Sequence, residues 1–149
     1  MSSPIDDAAR MPLLDAAYAL WRARRRLDAQ DGPRNPRRSL RQAEPGSKAF
    51  TISIQEAIQA ARDERVNADS GPTFHRLKSA HPEAPDATLQ EAVKAAVKLE
   101  TDCTRHYSPD GSNYSETIGE AVRLARVQNP GFSEATYKAL LDDMALAMR

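Results

Sequence analysis

Apolar residues recur along this chain at helical spacing, and three times they follow nearly the same phrase. "SIQEAIQAA" from Ser53 returns as "TLQEAVKAA" from Thr88 and as "TIGEAVRLA" from Thr117. Each copy opens with the S/T-x-x-E pattern of a capping box: Ser53 with Glu56, Thr88 with Glu91, Thr117 with Glu120. In such a box the hydroxyl accepts a first-turn N–H and the Glu reaches back to the cap's own N–H. Behind each box runs one apolar stripe: Ile54, Ala57, Ile58 and Ala61; Leu89, Ala92, Val93, Ala96 and Val97; Ile118, Ala121, Val122 and Ala125. The pattern predicts three capped helices, each with one face to bury. Successive copies start 35 and 29 residues apart, so the chain lacks the fixed period of a solenoid.

Other segments complete the count. Pro12 suits a helix start, and "PLLDAAYALWRARRRLDAQDG" carries Leu13, Ala17, Leu20, Trp21 and Leu27 on one stripe until Gly32 and Pro33 stop it. "GPTFHRLKSAHP" predicts a short helix displaying Phe74 and Leu77 and closed before Pro82. After a turn at Asn129–Gly131, a last helix capped by Ser133 carries Tyr137, Leu140, Leu141, Met144 and Met148. "YSPDGSNYS" reads as a polar turn, and "KAFTISI" alternates weakly without a partner strand. The fold class expected is all-α: a small bundle of five or six capped helices, preceded by a helix and an arginine-rich linker.

The boundary between these parts follows composition. "DGPRNPRRSLRQAEPGSK" holds three prolines and two glycines and little that could be buried, which predicts an extended linker. Residues 1–48 then form an N-terminal helix with its basic linker, and residues 49–149 a compact helical bundle starting near Phe50. Charge divides the same way. The formal net charge of zero conceals ten Lys/Arg against six Asp/Glu in residues 1–48, and eleven against fifteen in residues 49–149.

The chain has 149 residues, one Trp, three Phe, four Tyr and one Cys. Its many alanines predict closely approaching helices. No apolar run is long enough to span a membrane, the N-terminus lacks the apolar segment of a secretory signal, and Cys103 alone forms no intrachain disulfide. Those features lead us to expect a cytoplasmic protein.

Chemistry is sparse. Cys103 and His106 stand three residues apart, with His75 and His81 elsewhere, too scattered a set for a tetrahedral zinc site. Glycine-rich phosphate loops and nucleophile elbows are absent from the sequence. The reading is of a protein that is not an enzyme and uses no cofactor, metal or evident small-molecule substrate. Asp142 and Asp143 are expected to face water.

The functional signal is a run of arginine: Arg22, Arg24, Arg25, Arg26, Arg34, Arg37, Arg38 and Arg41, opposed between residues 22 and 41 only by Asp28 and Asp31. Arginine pairs bidentately with carboxylate and phosphate, so these residues, with Trp21, are the expected partner-binding set. The partner is another protein, a further copy of the chain or nucleic acid; simple solvation of a linker is the plainer alternative. A DNA-binding regulator would use the basic arm with a helix-turn-helix-like C-terminal pair. Glu134, Asp142 and Asp143 on its second helix weigh against that reading.

"EAVRLARVQNPGFSEATY", Glu120 to Tyr137, resembles a short helix–Pro–helix motif of bacteriophage structural and scaffolding-associated proteins. "LKSAHPEA" from Leu77 echoes its break. The resemblance implies a phage or prophage origin, an assembly role and, for a structural component, a place in the virion. It names no catalytic residue.

Overall fold

The computed structural model describes residues 3–31, 48–107 and 114–147. Among them are eight α-helices and one 3-10 turn, with no strand: α1 Pro4–Ala9, α2 Leu13–Arg22, α3 Arg24–Asp31, α4 Lys48–Val66, the 3-10 turn Ala68–Ser70, α5 Pro72–Ala80, α6 Asp86–His106, α7 Tyr114–Gln128 and α8 Glu134–Ala147. The protein is all-α, and the "KAFTISI" stretch belongs to α4.

Helix α2 occupies the centre. It packs on α6, α5 and α1 and touches α8, and its Ala16, Ala17, Tyr18, Leu20 and Trp21 are buried. Alanine on both sides of these contacts lets the backbones come close. Helix α6 packs on both α2 and α7, and its Leu89, Val93, Ala96, Leu99 and Cys103 are fully buried. Helix α8 closes the bundle through Tyr137, Leu140 and Met144, while Leu141 of the expected stripe lies at the surface. Met148 lies outside the described residues.

This arrangement corrects the expected division at residue 48. The N-terminal helices do not stand ahead of the bundle; α2 is its axis, and Leu27 of α3 also enters the core. The proposed linker and the "YSPDGSN" turn lie outside the described residues.

Helix starts also differ from expectation. Ser53 lies inside α4, Thr88 within the first turn of α6 and Thr117 within that of α7. The N-cap of α6 is Pro85, with no side-chain cap. The pattern marks the opening of an amphipathic stretch, but each helix begins upstream of it. A true capping box stands elsewhere. Ser3 Oγ accepts the Asp6 N–H at 3.1 Å, and the Asp6 carboxylate accepts the Ser3 N–H at 3.4 Å. Ser133 caps α8 as expected, its Oγ accepting the Thr136 N–H at 3.3 Å.

Buried polar groups fix the joint between α7 and α8. Asn129 donates from Nδ2 to Asp102 and to the Ala125 carbonyl, both at 2.9 Å, and its own carbonyl accepts the Tyr137 hydroxyl at 2.6 Å. Gly131 then turns the chain at φ 104°, a left-handed conformation that favours glycine. From α2, buried Asp15 accepts the Ser133 N–H at 2.8 Å and the Thr136 hydroxyl at 2.6 Å. An acidic side chain at the first turn of α8 also suits the positive end of that helix.

Candidate interaction surface

The arginines at the end of α2 do not form one patch. Ala23, at φ −86° and ψ −2°, interrupts the helix between α2 and α3, and successive side chains leave that elbow in different directions. Arg22 and Arg26 share one face with Ala19, Ala23 and Gln30, as helical spacing dictates. Trp21, Arg24 and Asp28 share another.

On the inner face, Arg24 is buried. Its guanidinium lies 3.7 Å from the centre of the Trp21 ring. Its Nη1 donates to the Trp21 carbonyl at 2.9 Å and its Nε to Glu64 at 2.8 Å, while Glu100 stands 3.8 Å away. Arg65 in turn pairs with Glu100 at 3.2 Å. Together these ion pairs fasten the C-terminal end of α4 to α3 and α6. Trp21 and Arg24 were expected to bind a partner; both are instead internal. The physical reason is that an indole one helical turn from a guanidinium covers the cation, and two carboxylates of the same chain complete its coordination.

On the outer face, Arg22 donates to Asp143 at 2.5 Å, and Tyr18 donates to the other oxygen of the same carboxylate at 3.1 Å. Burial, with the Asp143 carboxylate beside it, holds the Tyr18 phenol far above its ordinary range. Asp143 is thus half-buried and paired, contrary to the expectation that it faces water. Arg25 approaches Glu64 at 4.0 Å and remains largely exposed. Arg26 is exposed and has no ion-pair partner among the described residues. Arg34, Arg37, Arg38 and Arg41 lie outside the described residues.

Arg22 and Arg26 line a groove of about 700 Å³. Its walls come from α1, α2, α3 and α8, and Pro4, Met11, Ala19 and Ala23 give it an apolar floor. Asp7 stands on the α1 wall and Asp143 on the α8 wall, the latter engaged by Arg22. The arrangement offers apolar contact beside exposed guanidinium groups. It brings no nucleophile and base together.

The other candidate chemistries resolve into structural roles. Cys103 is buried, and burial, with the Glu100 charge adding to it, pushes its thiol up to about 11. At that value the nucleophilic thiolate is scarce near neutral pH. His106 Nε2 lies 2.7 Å from Gln128 Oε1, and His81 Nε2 donates to the Ala8 carbonyl at 2.9 Å, tying α1 to the α5–α6 connection. Among the described residues, no three His, Cys, Asp or Glu side chains are grouped to hold a metal ion. In the α7–α8 pair, Arg126 of α7 binds Glu134 of α8 and lies 4.7 Å from the Tyr137 ring centre. Hydrogen bonding to Arg126 lowers the Glu134 pKa, which keeps an acid on the helix that would have to approach phosphate.

Sequence reasoning missed the buried polar set of Asp15, Arg76, Asp102, Asn129 and Thr136. Asp15 carried a signal: it interrupts the apolar run "LLDAAYAL" on the face that α2 buries.

No family model, curated protein or solved structure matches this chain. Among the described residues, no helix is long and apolar enough to cross a membrane.

Proposed function

We propose that the protein is a non-enzymatic macromolecular interaction protein that binds an acidic segment of a protein partner in the groove between α1, α2–α3 and α8. The observation that carries this reading is Arg26: an exposed guanidinium on the wall of an apolar-floored groove, without an ion-pair partner among the described residues. Arg25 stands beside it, and the sequence continues from α3 into Arg34, Arg37, Arg38 and Arg41. Asp143 is neutralised by Arg22, which leaves Arg26 as the cation of the arginine wall without an ion-pair partner among the described residues, with Asp7 on the α1 wall. The phage-like segment Glu120–Tyr137 supports an assembly or accessory role of phage or prophage origin, in the cytoplasm or in the virion. The role requires neither cofactor nor metal.

Capture of partners on Arg26→Glu and wild-type protein, followed by native mass measurement, tests the reading. Charge reversal is expected to weaken the complex by roughly tenfold or more while leaving the helical content unchanged. Equal capture by both proteins overturns it. Nucleic acid as the partner would instead give a steep, linear loss of log affinity with log salt, about −0.9 per phosphate neutralised on duplex DNA.

A further inference from the structure

We infer that the occupant of the groove between α1, α2–α3 and α8 is a second copy of this chain, docked through the outer face of its α8. This rests on the groove reading above and names the partner. The charges of the groove have both signs. Arg22 and Asp143 satisfy each other, which leaves Arg26 on the α3 wall and Asp7 on the α1 wall. Both are exposed, and neither side chain is in an ion pair among the described residues. The floor of Pro4, Met11, Ala19 and Ala23 is apolar. A complementary occupant therefore carries an acid, a base and an apolar anchor on one face.

The outer face of α8 has that composition. Tyr137, Leu140 and Met144 are buried in the core, so Lys138, Leu141, Asp142 and Ala145 share the exposed side by helical spacing. Leu146 adds to it, 63% exposed. A helix apolar on both sides is ordinarily covered on both. Lys138 and Asp142 have no ion-pair partner among the described residues. The other exposed large apolar side chains lack such a free pair of charges. Beside Ile58 and Val66 of α4, Asp63 already accepts from Gln59 at 2.9 Å, which leaves Arg62. Beside Val127 of α7, Glu120 holds Arg123 and Glu134 holds Arg126. In the docked pair, Asp142 of the second copy meets Arg26, its Lys138 meets Asp7, and its Leu141 enters the apolar floor. Asp143 lines the chain's own groove from another side of α8, so a filled groove leaves the outer face of that helix free. The two surfaces differ, so the contact is head-to-tail and repeats from copy to copy.

Native mass measurement of the full chain over a concentration series tests this. Wild type is expected to grow beyond the monomer as its concentration rises. Arg26→Glu spoils the groove and Asp142→Lys the donor face, and each alone is expected to weaken association by roughly tenfold or more. Mixed in equal amounts, the two variants should form a heterodimer that grows no further, because Asp142→Lys keeps an intact groove and Arg26→Glu an intact α8. Both side chains are exposed, so the helical content of each variant should match wild type. Should either misfold, Asp7→Lys and Lys138→Glu probe the same two surfaces. Self-association undiminished in a folded variant, or a mixture that remains monomeric, overturns the inference. A monomeric wild type that still captures another protein, lost on Arg26→Glu, overturns self-association while upholding the groove.

Discussion

The three copies of one phrase meet different fates, and the contrast separates what makes a helix from what buries it. In α6, Leu89, Ala92, Val93 and Ala96 are all in the core. In α7, Ile118, Ala121, Val122 and Ala125 are too. At the matching positions of α4, Ile54 and Ala57 are only half-buried, Ile58 is 50% exposed and Ala61 is at the surface. Helix α4 packs chiefly on the 3-10 turn and is otherwise fastened by Glu64 and Arg65. Equal amphipathicity therefore gives equal helices but unequal burial, because burial needs a facing helix: α6 packs on α2 and α7 on α6 and α8, whereas α4 packs chiefly on the short 3-10 turn.

Substitutions at equivalent positions should expose that difference. Leu89→Ala is expected to cost about 3 kcal/mol, read as a lower urea midpoint, because a fully buried side chain leaves a cavity behind it. Adding bulk is the reverse test. Ala96→Leu should cost about 2 kcal/mol by overpacking the buried face of α6, while Ala61→Leu on α4 should change stability by less than about 0.5 kcal/mol. A similar loss in both would mean that α4 has a packed face after all.

The core carries a pH dependence of its own. Burial disfavours the Asp102 carboxylate, but hydrogen bonds from Lys98 at 2.7 Å and Asn129 at 2.9 Å, with the charges of Lys98 and Arg105, outweigh it and lower its pKa. Its contribution is thus fully present above the unfolded value of about 3.9 and lost as the pH falls through the folded one. Asp102→Asn should cost about 1 kcal/mol at pH 7, and the gap from wild type should shrink by pH 3. A constant gap would show that the side chain acts through packing alone. Smallest of all, Ile58→Ala should move the urea midpoint by no more than about 0.5 kcal/mol, since half of that side chain already meets water.

Much of this was readable in the amino-acid order, for reasons specific to each element. Helices α5 and α8 fall where Pro72, Pro82, Gly131 and Ser133 punctuate the chain, because those residues constrain backbone geometry locally. The S/T-x-x-E boxes misled because the same residues are tolerated inside a helix, and each helix starts upstream of its box. Trp21 and Arg24 misled for a related reason. Their spacing announces a contact with each other, but the carboxylates that enclose Arg24 come from Glu64 and Glu100, far along the chain. No local pattern reveals such a meeting. Of the arginine run, Arg25 and Arg26 remain outward as read, Arg22 is shared with Asp143, and Arg24 is core.

The carboxylate of Asp15 bonds across 118 and 121 residues to Ser133 and Thr136. During synthesis, the second helix therefore leaves the ribosome long before its partners exist. It must wait, with an acid on its apolar side, for the 118 residues that separate Asp15 from Ser133. Closure of the contact between α2 and α8 is thus a late event, completed only when α8 is free to meet α2.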